Sequence, residues 1–120
     1  MAVVIRLYEK ENGDCPVLDF ILKLNPKQQA KVYREIDLLQ EFGNALRFPH
    51  VRKISGKKYS ELWELRIKFA SDSFRIFYFG FQENEYILLH GFTKKKEKTP
   101  TKELKIALSR MGDFLRRYRK

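Results

Sequence analysis

The run Leu62-Trp-Glu-Leu-Arg-Ile-Lys-Phe69 sets apolar and charged side chains in alternation. In a strand, where successive side chains point to opposite faces, this puts Trp63, Leu65, Ile67 and Phe69 on one side and Leu62, Glu64, Arg66 and Lys68 on the other. An unpaired charge removed from water loses its hydration, so the cations need a face open to solvent or to a polyanion. The pattern predicts a sheet with one oily face and one cationic face.

Two further strands are predicted over 74–79 and 86–92, separated from the first and from each other by Ala70-Ser-Asp-Ser73 and Gln82-Glu-Asn-Glu85. Such short connections make antiparallel neighbours. Before them, the β-branched run 3–8 reads as a strand closed by the turn Glu11-Asn-Gly-Asp14. Pro16 then opens a short helix, capped by Asp14 or Cys15, with Val17, Phe20, Ile21 and Leu24 at helical spacing. Asn25-Pro26 starts a second helix, Gln28 being placed to close a capping box. Val32, Ile36, Leu39 and Phe42 form its stripe, with Tyr33 beside them, and Gly43 stops it.

Residues 45–58 support only a short strand and loops, because Pro49, Gly56 and the pairs Arg52-Lys53 and Lys57-Lys58 break any period. A last helix opens at Thr99-Pro-Thr101 and repeats Leu104, Ala107, Leu108, Met111, Leu115 and Tyr118. This order predicts one α+β domain over 1–120, a sandwich in which helices cover a mostly antiparallel sheet.

The charge balance, 25 Lys plus Arg against 15 Asp plus Glu, favours a polyanionic partner, nucleic acid before acidic protein. No stretch approaches membrane-spanning length and Met1 is not followed by an export pattern, so the cytoplasm is the simplest address and no membrane partner is expected. Cys15 stands alone, without the partner a disulfide needs. No phosphate-binding glycine motif and no paired Cys-His spacing occurs, so neither a metal nor a small-molecule cofactor is expected.

Arg66 and Lys68 lie two apart on one strand face, and Arg75 comes after a hairpin turn on the next strand, so the three charges fall together. Their repulsion is relieved by an anion and would lower the Lys68 pKa. Cleaving RNA without a metal means taking the proton from a 2′-hydroxyl, stabilising an anionic phosphorane and protonating the departing 5′ oxygen. Arginine, with a pKa above about 12, suits only the second task, which leaves Lys68 and His90 for proton transfer. Strand alternation alone leaves the face of His90 open, and a structural, hydrogen-bonded role competes with catalysis. His50, in a Pro-flanked loop, is the weaker histidine. Lys94, Lys95 and Lys96 come directly after the last strand and extend the phosphate cradle. Lys53, Lys57, Lys58 and Lys98 are candidate RNA contacts, and Tyr59 a base-stacking one; for Phe77 and Phe79 stacking competes with core packing.

Leu62-Trp-Glu-Leu-Arg66, Phe74-Arg-Ile-Phe-Tyr78 and Leu88-Leu-His-Gly-Phe-Thr-Lys-Lys95 with Thr99-Pro100 resemble the phage-derived, HigB-like branch of the RelE/ParE toxin superfamily. The resemblance implies a RelE-like sandwich and a type II toxin that cuts messenger RNA on the ribosome. It implies release of a 2′,3′-cyclic phosphate and a 5′-hydroxyl, and inactivation by a cognate helix-turn-helix antitoxin. Arg66, Lys68 and Arg75 match the basic positions of RelE-type strands, and Lys94 or Lys95 matches a later one. Thr99-Pro-Thr101 stands where a RelE-type toxin supplies a tyrosine, so the base is left among Lys68, His90 and a ribosomal group. The same fold admits a ParE-like, non-enzymatic inhibitor of DNA gyrase, or an RNA-binding regulatory module.

Overall fold

Gln28 and Asn25 close a reciprocal cap: the Asn25 side chain accepts from the Gln28 N–H at 2.9 Å, and the Gln28 side chain accepts from the Asn25 N–H at 3.0 Å. This corner divides the two N-terminal helices in the computed structural model, which describes residues 2–119. The chain runs β1 (Val4–Leu7), α1 (Pro16–Leu22), α2 (Pro26–Phe42), β2 (Val51–Lys53), β3 (Trp63–Phe69), β4 (Asp72–Phe81), β5 (Glu85–Thr93) and α3 (Thr101–Tyr118). Short 3-10 turns occupy Gly43–Ala45 and Lys57–Tyr59. Gly43 ends α2 at φ 52°, a left-handed value that a side chain would resist.

The strands form one five-stranded sheet in the order β1-β5-β4-β3-β2. β2 through β5 pair antiparallel, and β1 joins β5 in parallel. The fold is α+β, with three helices on a mostly antiparallel sheet.

The sheet is oily on both faces, which corrects the expectation of a single apolar side. On one face α1 and α2 bring Val17, Ile21, Val32, Ile36 and Leu39 onto Leu65, Ile67, Phe74, Ile76, Tyr78 and Leu88. On the other, α3 brings Ala107, Met111 and Phe114 onto Leu62, Phe77, Phe79, Phe81, Ile87 and Leu89. The reason lies in β4, a central strand whose aromatic and aliphatic residues alternate between two covered faces. Phe77 and Phe79 are therefore core, closed to any nucleobase. The helical stripes are trimmed likewise. Phe42 and Tyr118 are exposed, and Phe114, absent from the expected stripe, fills the centre of the α3 layer.

Two local features of β5 set how the helices meet the sheet. Gly91 lies under the ring of Phe20 so closely that a Cβ there would come within 2.6 Å of it, and this lets α1 settle onto β5. Between β4 and β5 the pairing slips by one residue, from Tyr78 opposite Leu88 to Phe77 opposite His90. Leu89 is the extra residue of this bulge, which turns His90 toward α3 rather than toward α1. Among the described residues no helix is long and apolar enough to cross a membrane.

Candidate functional site

Arg66 and Arg75 are directly opposite each other in the β3–β4 ladder, on the α3 face. α3 lies over β4 and β5, and the arginines sit at the end of the face beyond its core contacts. Like charges in such a pair repel. The compensation comes from Glu64, one strand repeat away on the same face and only 2% exposed. Its oxygens lie 3.6 Å from Arg75 Nε and 4.0 Å from Arg66 Nε. The expected cluster of bare cations thus contains a buried carboxylate. Sequence alternation assigns Glu64 to this face without revealing that it is buried, between Arg52 of β2 and Phe77 of β4.

The neutralisation is incomplete. Neither distance is that of a hydrogen bond, and Arg66 Nε and Nη1, Arg75 Nε and Glu64 Oε1 are buried without partners. Arg75, 6% exposed, satisfies one of its donors on the Phe74 carbonyl at 3.1 Å. Burial pushes the Arg75 pKa down, Glu64 opposes this, and Arg66 and Arg52 add to it. Buried guanidinium donors without acceptors are costly, and a phosphate oxygen would satisfy them.

Spacing does not single out Arg52. It pairs opposite Glu64 from β2, while Lys53 pairs opposite Trp63 and holds its ammonium 5.8 Å from that ring. Only strand pairing distinguishes the two neighbours.

Lys94 completes this end of the sheet. Its N–H donates to the Ser73 carbonyl at 2.8 Å, fixing the chain as it leaves β5. Burial lowers the Lys94 pKa, and the charges of Arg75, Arg66 and Arg52 lower it further against the pull of Glu64. Spacing predicts such a lowering at Lys68; the lysine that burial and the neighbouring arginines act on here is Lys94. Lys68 stands opposite Ser73, exposed, at the rim of a cavity that it shares with Arg66 and Arg75.

Two cavities flank the arginine pair. One, of about 400 Å³, is bordered by Arg66, Lys68 and Arg75 together with Lys31 and Glu35 of α2 and with His50. The other, of about 510 Å³, brings Lys53, Tyr59, Lys94 and Lys98 together with Arg52 and Glu64. Lys57, Lys58, Lys95 and Lys96 border neither and are exposed, Lys58 lying 5.9 Å from the Tyr59 ring. Beside the first cavity Phe48 is 67% exposed, with the Arg66 guanidinium 4.7 Å from its ring centre.

His90 is elsewhere. It stacks on Phe92 at 5.6 Å, Arg110 donates to its Nδ1 at 3.1 Å, and its Nε2 lies 2.6 Å from Glu103. Arginine has only donors, so Nδ1 accepts and the proton is on Nε2, donated to the carboxylate. Burial pushes the His90 pKa down, against the Glu103 hydrogen bond. Both ring nitrogens are engaged, and the ring ties α3 to β5.

A second buried carboxylate, which the sequence does not mark, stands on the first cavity. Glu35, 4% exposed, lies 3.1 Å from Lys31 Nζ and 3.0 Å from His50 Nδ1. The i,i+4 spacing of Lys31 and Glu35 is the only signal in the sequence. Among the described residues no three His, Cys, Asp or Glu side chains gather as a metal site requires.

No curated protein matches the chain. The family model described as phage derived protein Gp49-like (DUF891) matches residues 19–112, from α1 into α3. That span includes every residue bordering the two cavities beside the arginine pair, and it covers well over half of the 120 residues. The chain belongs to the phage-derived Gp49-like family.

Proposed function

We propose that this protein is the toxin of a type II toxin-antitoxin pair, an endoribonuclease that cleaves messenger RNA on the ribosome and thereby halts translation. The observation that carries the reading is the Arg66–Arg75 pair, a half-buried and a buried guanidinium respectively, each with buried donors that have no acceptor. Family membership and the likeness of the strand motifs to HigB-like toxins support it.

In the proposed reaction a phosphodiester lies across Arg66 and Arg75. The RNA's own 2′-hydroxyl attacks phosphorus, and the guanidinium groups stabilise the charge that develops on the non-bridging oxygens. Lys94, whose proton affinity the site reduces, takes the 2′-hydroxyl proton. The products are a 2′,3′-cyclic phosphate and a 5′-hydroxyl. Lys53, Lys98 and Tyr59, around the second cavity, hold the flanking RNA. A cognate helix-turn-helix antitoxin keeps the enzyme inactive until it is removed.

Primer extension on a message in programmed ribosomes tests the reading. The wild type is expected to give truncated products, and Arg75→Ala to lower the cleavage rate by about 10²–10³-fold, as for loss of a charge-stabilising donor. Full-length message from a wild type that still arrests growth would overturn it. Inhibition of gyrase supercoiling without RNA cleavage would put the ParE-like reading in its place.

A further inference from the structure

RNA cleavage requires two proton transfers, and Lys94 accounts for one. We propose that His50 makes the other, as the general acid that protonates the departing 5′ oxygen, with Glu35 as its positioning residue. The proposal rests on the nuclease reading and deepens it.

His50 is fixed beside the arginines by the backbone, because its carbonyl accepts the Arg66 N–H at 2.8 Å. This continues the β2–β3 register one residue past Val51 opposite Leu65. Across the sheet the order is therefore His50, Arg66, Arg75 and Phe92, with Lys94 two residues beyond Phe92. At a strand spacing of about 4.8 Å, the backbones of His50 and Lys94 stand about three strand spacings apart, with the arginine pair between them. Two proton-transfer groups on either side of a phosphate cradle suit an in-line displacement, in which nucleophile and leaving group lie on opposite sides of phosphorus.

The imidazole is also oriented. Its Nδ1 lies 3.0 Å from Glu35, so the proton it shares with that carboxylate leaves Nε2 for substrate. Burial alone would raise the Glu35 carboxyl, but hydrogen bonds from His50 and Lys31 outweigh it and hold the pKa below the usual range. Glu35 therefore stays ionised and holds Nδ1 as a donor, so that Nε2 is the nitrogen that can give up a proton. The His50 side chain is 42% exposed and borders the same cavity as Arg66 and Arg75, so substrate can reach it. His90, with both nitrogens engaged under α3, lacks this freedom.

Bonds and protons balance across the step. The 2′ oxygen–phosphorus bond forms as the 2′-hydroxyl proton passes to the neutral Lys94 amine. The phosphorus–5′ oxygen bond breaks as the proton on His50 Nε2 passes to the 5′ oxygen, leaving a neutral imidazole still donating from Nδ1 to Glu35.

The test replaces the scissile 5′ oxygen with sulfur in a message programmed into ribosomes, since a thiolate leaves without protonation. On the ordinary linkage His50→Gln is expected to cleave about 100-fold more slowly than wild type, within the range of general acid catalysis. On the 5′-thio linkage the two are expected to agree within a few-fold. Glu35→Gln should show the same pattern in weaker form, and thermal melts would establish that both variants are folded. Equal rates of wild type and His50→Gln on the ordinary linkage would overturn the proposal, as would an undiminished deficit on the 5′-thio linkage, which marks a structural role. A wild type that cleaves neither linkage defeats the nuclease reading itself, and this proposal with it.

Discussion

Glu64 Oε1 stands 3.6 Å from Arg75 Nε, near enough to neutralise it and too far to accept its hydrogen bond. A carboxylate at this distance lets two arginines share a strand pair without satisfying their donors. In the proposed reaction this arrangement would keep the cations assembled before a phosphate arrives, which removes the cost of gathering the charges at the moment of reaction.

That relationship separates stability from activity. Arg75→Ala leaves Glu64 buried with only the more distant Arg66 as an ion-pair partner, and is expected to cost about 3 kcal/mol of stability. Adding Glu64→Ala should recover most of that loss in urea melts while cleavage stays low. Recovery of cleavage along with stability would mean that Arg75 only supports the fold.

Lys94→Arg retains a positive charge at the end of β5 and puts a guanidinium, which does not give up its proton, in place of the amine. Single-turnover cleavage is expected to fall by about 100-fold, with RNA affinity unchanged in a filter-binding assay. An equal fall in affinity would assign Lys94 to binding rather than to proton transfer.

The His90 pKa is lowered in the folded state, chiefly by burial, so the folded protein binds that proton more weakly than the unfolded chain does. Acidification therefore favours unfolding. The stability that His90 contributes is complete above the unfolded value of about 6.5 and declines as pH falls through it, until the folded protein also takes up the proton. Thermal melts from pH 7.5 to 5 should show this decline in the wild type and a shallower one in His90→Gln. Parallel curves would place the acid sensitivity elsewhere.

Much of the framework is legible locally. Asn25-Pro26 with Gln28 contains a complete helix start, because capping involves residues three apart. The alternation in β3 assigns Arg66 to its face for the same reason, and the short connection to β4 brings Arg75 across from it. His90 resists such reading because one extra residue, Leu89, reverses the face of everything between it and the end of β5. The pairing of Glu35 with His50 is equally hidden, since it joins α2 to the loop before β2 and depends on how the helix lies on the sheet. Arg52 and Lys53 are alike in charge, and their separate placements opposite Glu64 and Trp63 come from the register of β2.

The sequence by itself determined the element order, the α+β class and the presence of clustered cations on adjacent strands, because these depend on side-chain period and short connections. Tertiary structure decided which cations face a shared carboxylate, which lysine is pushed toward lower proton affinity, and which histidine has both ring nitrogens engaged and which has one. Those properties depend on burial and on distances of a few ångströms between residues far apart in the chain, and only the packing of helices on the sheet sets them.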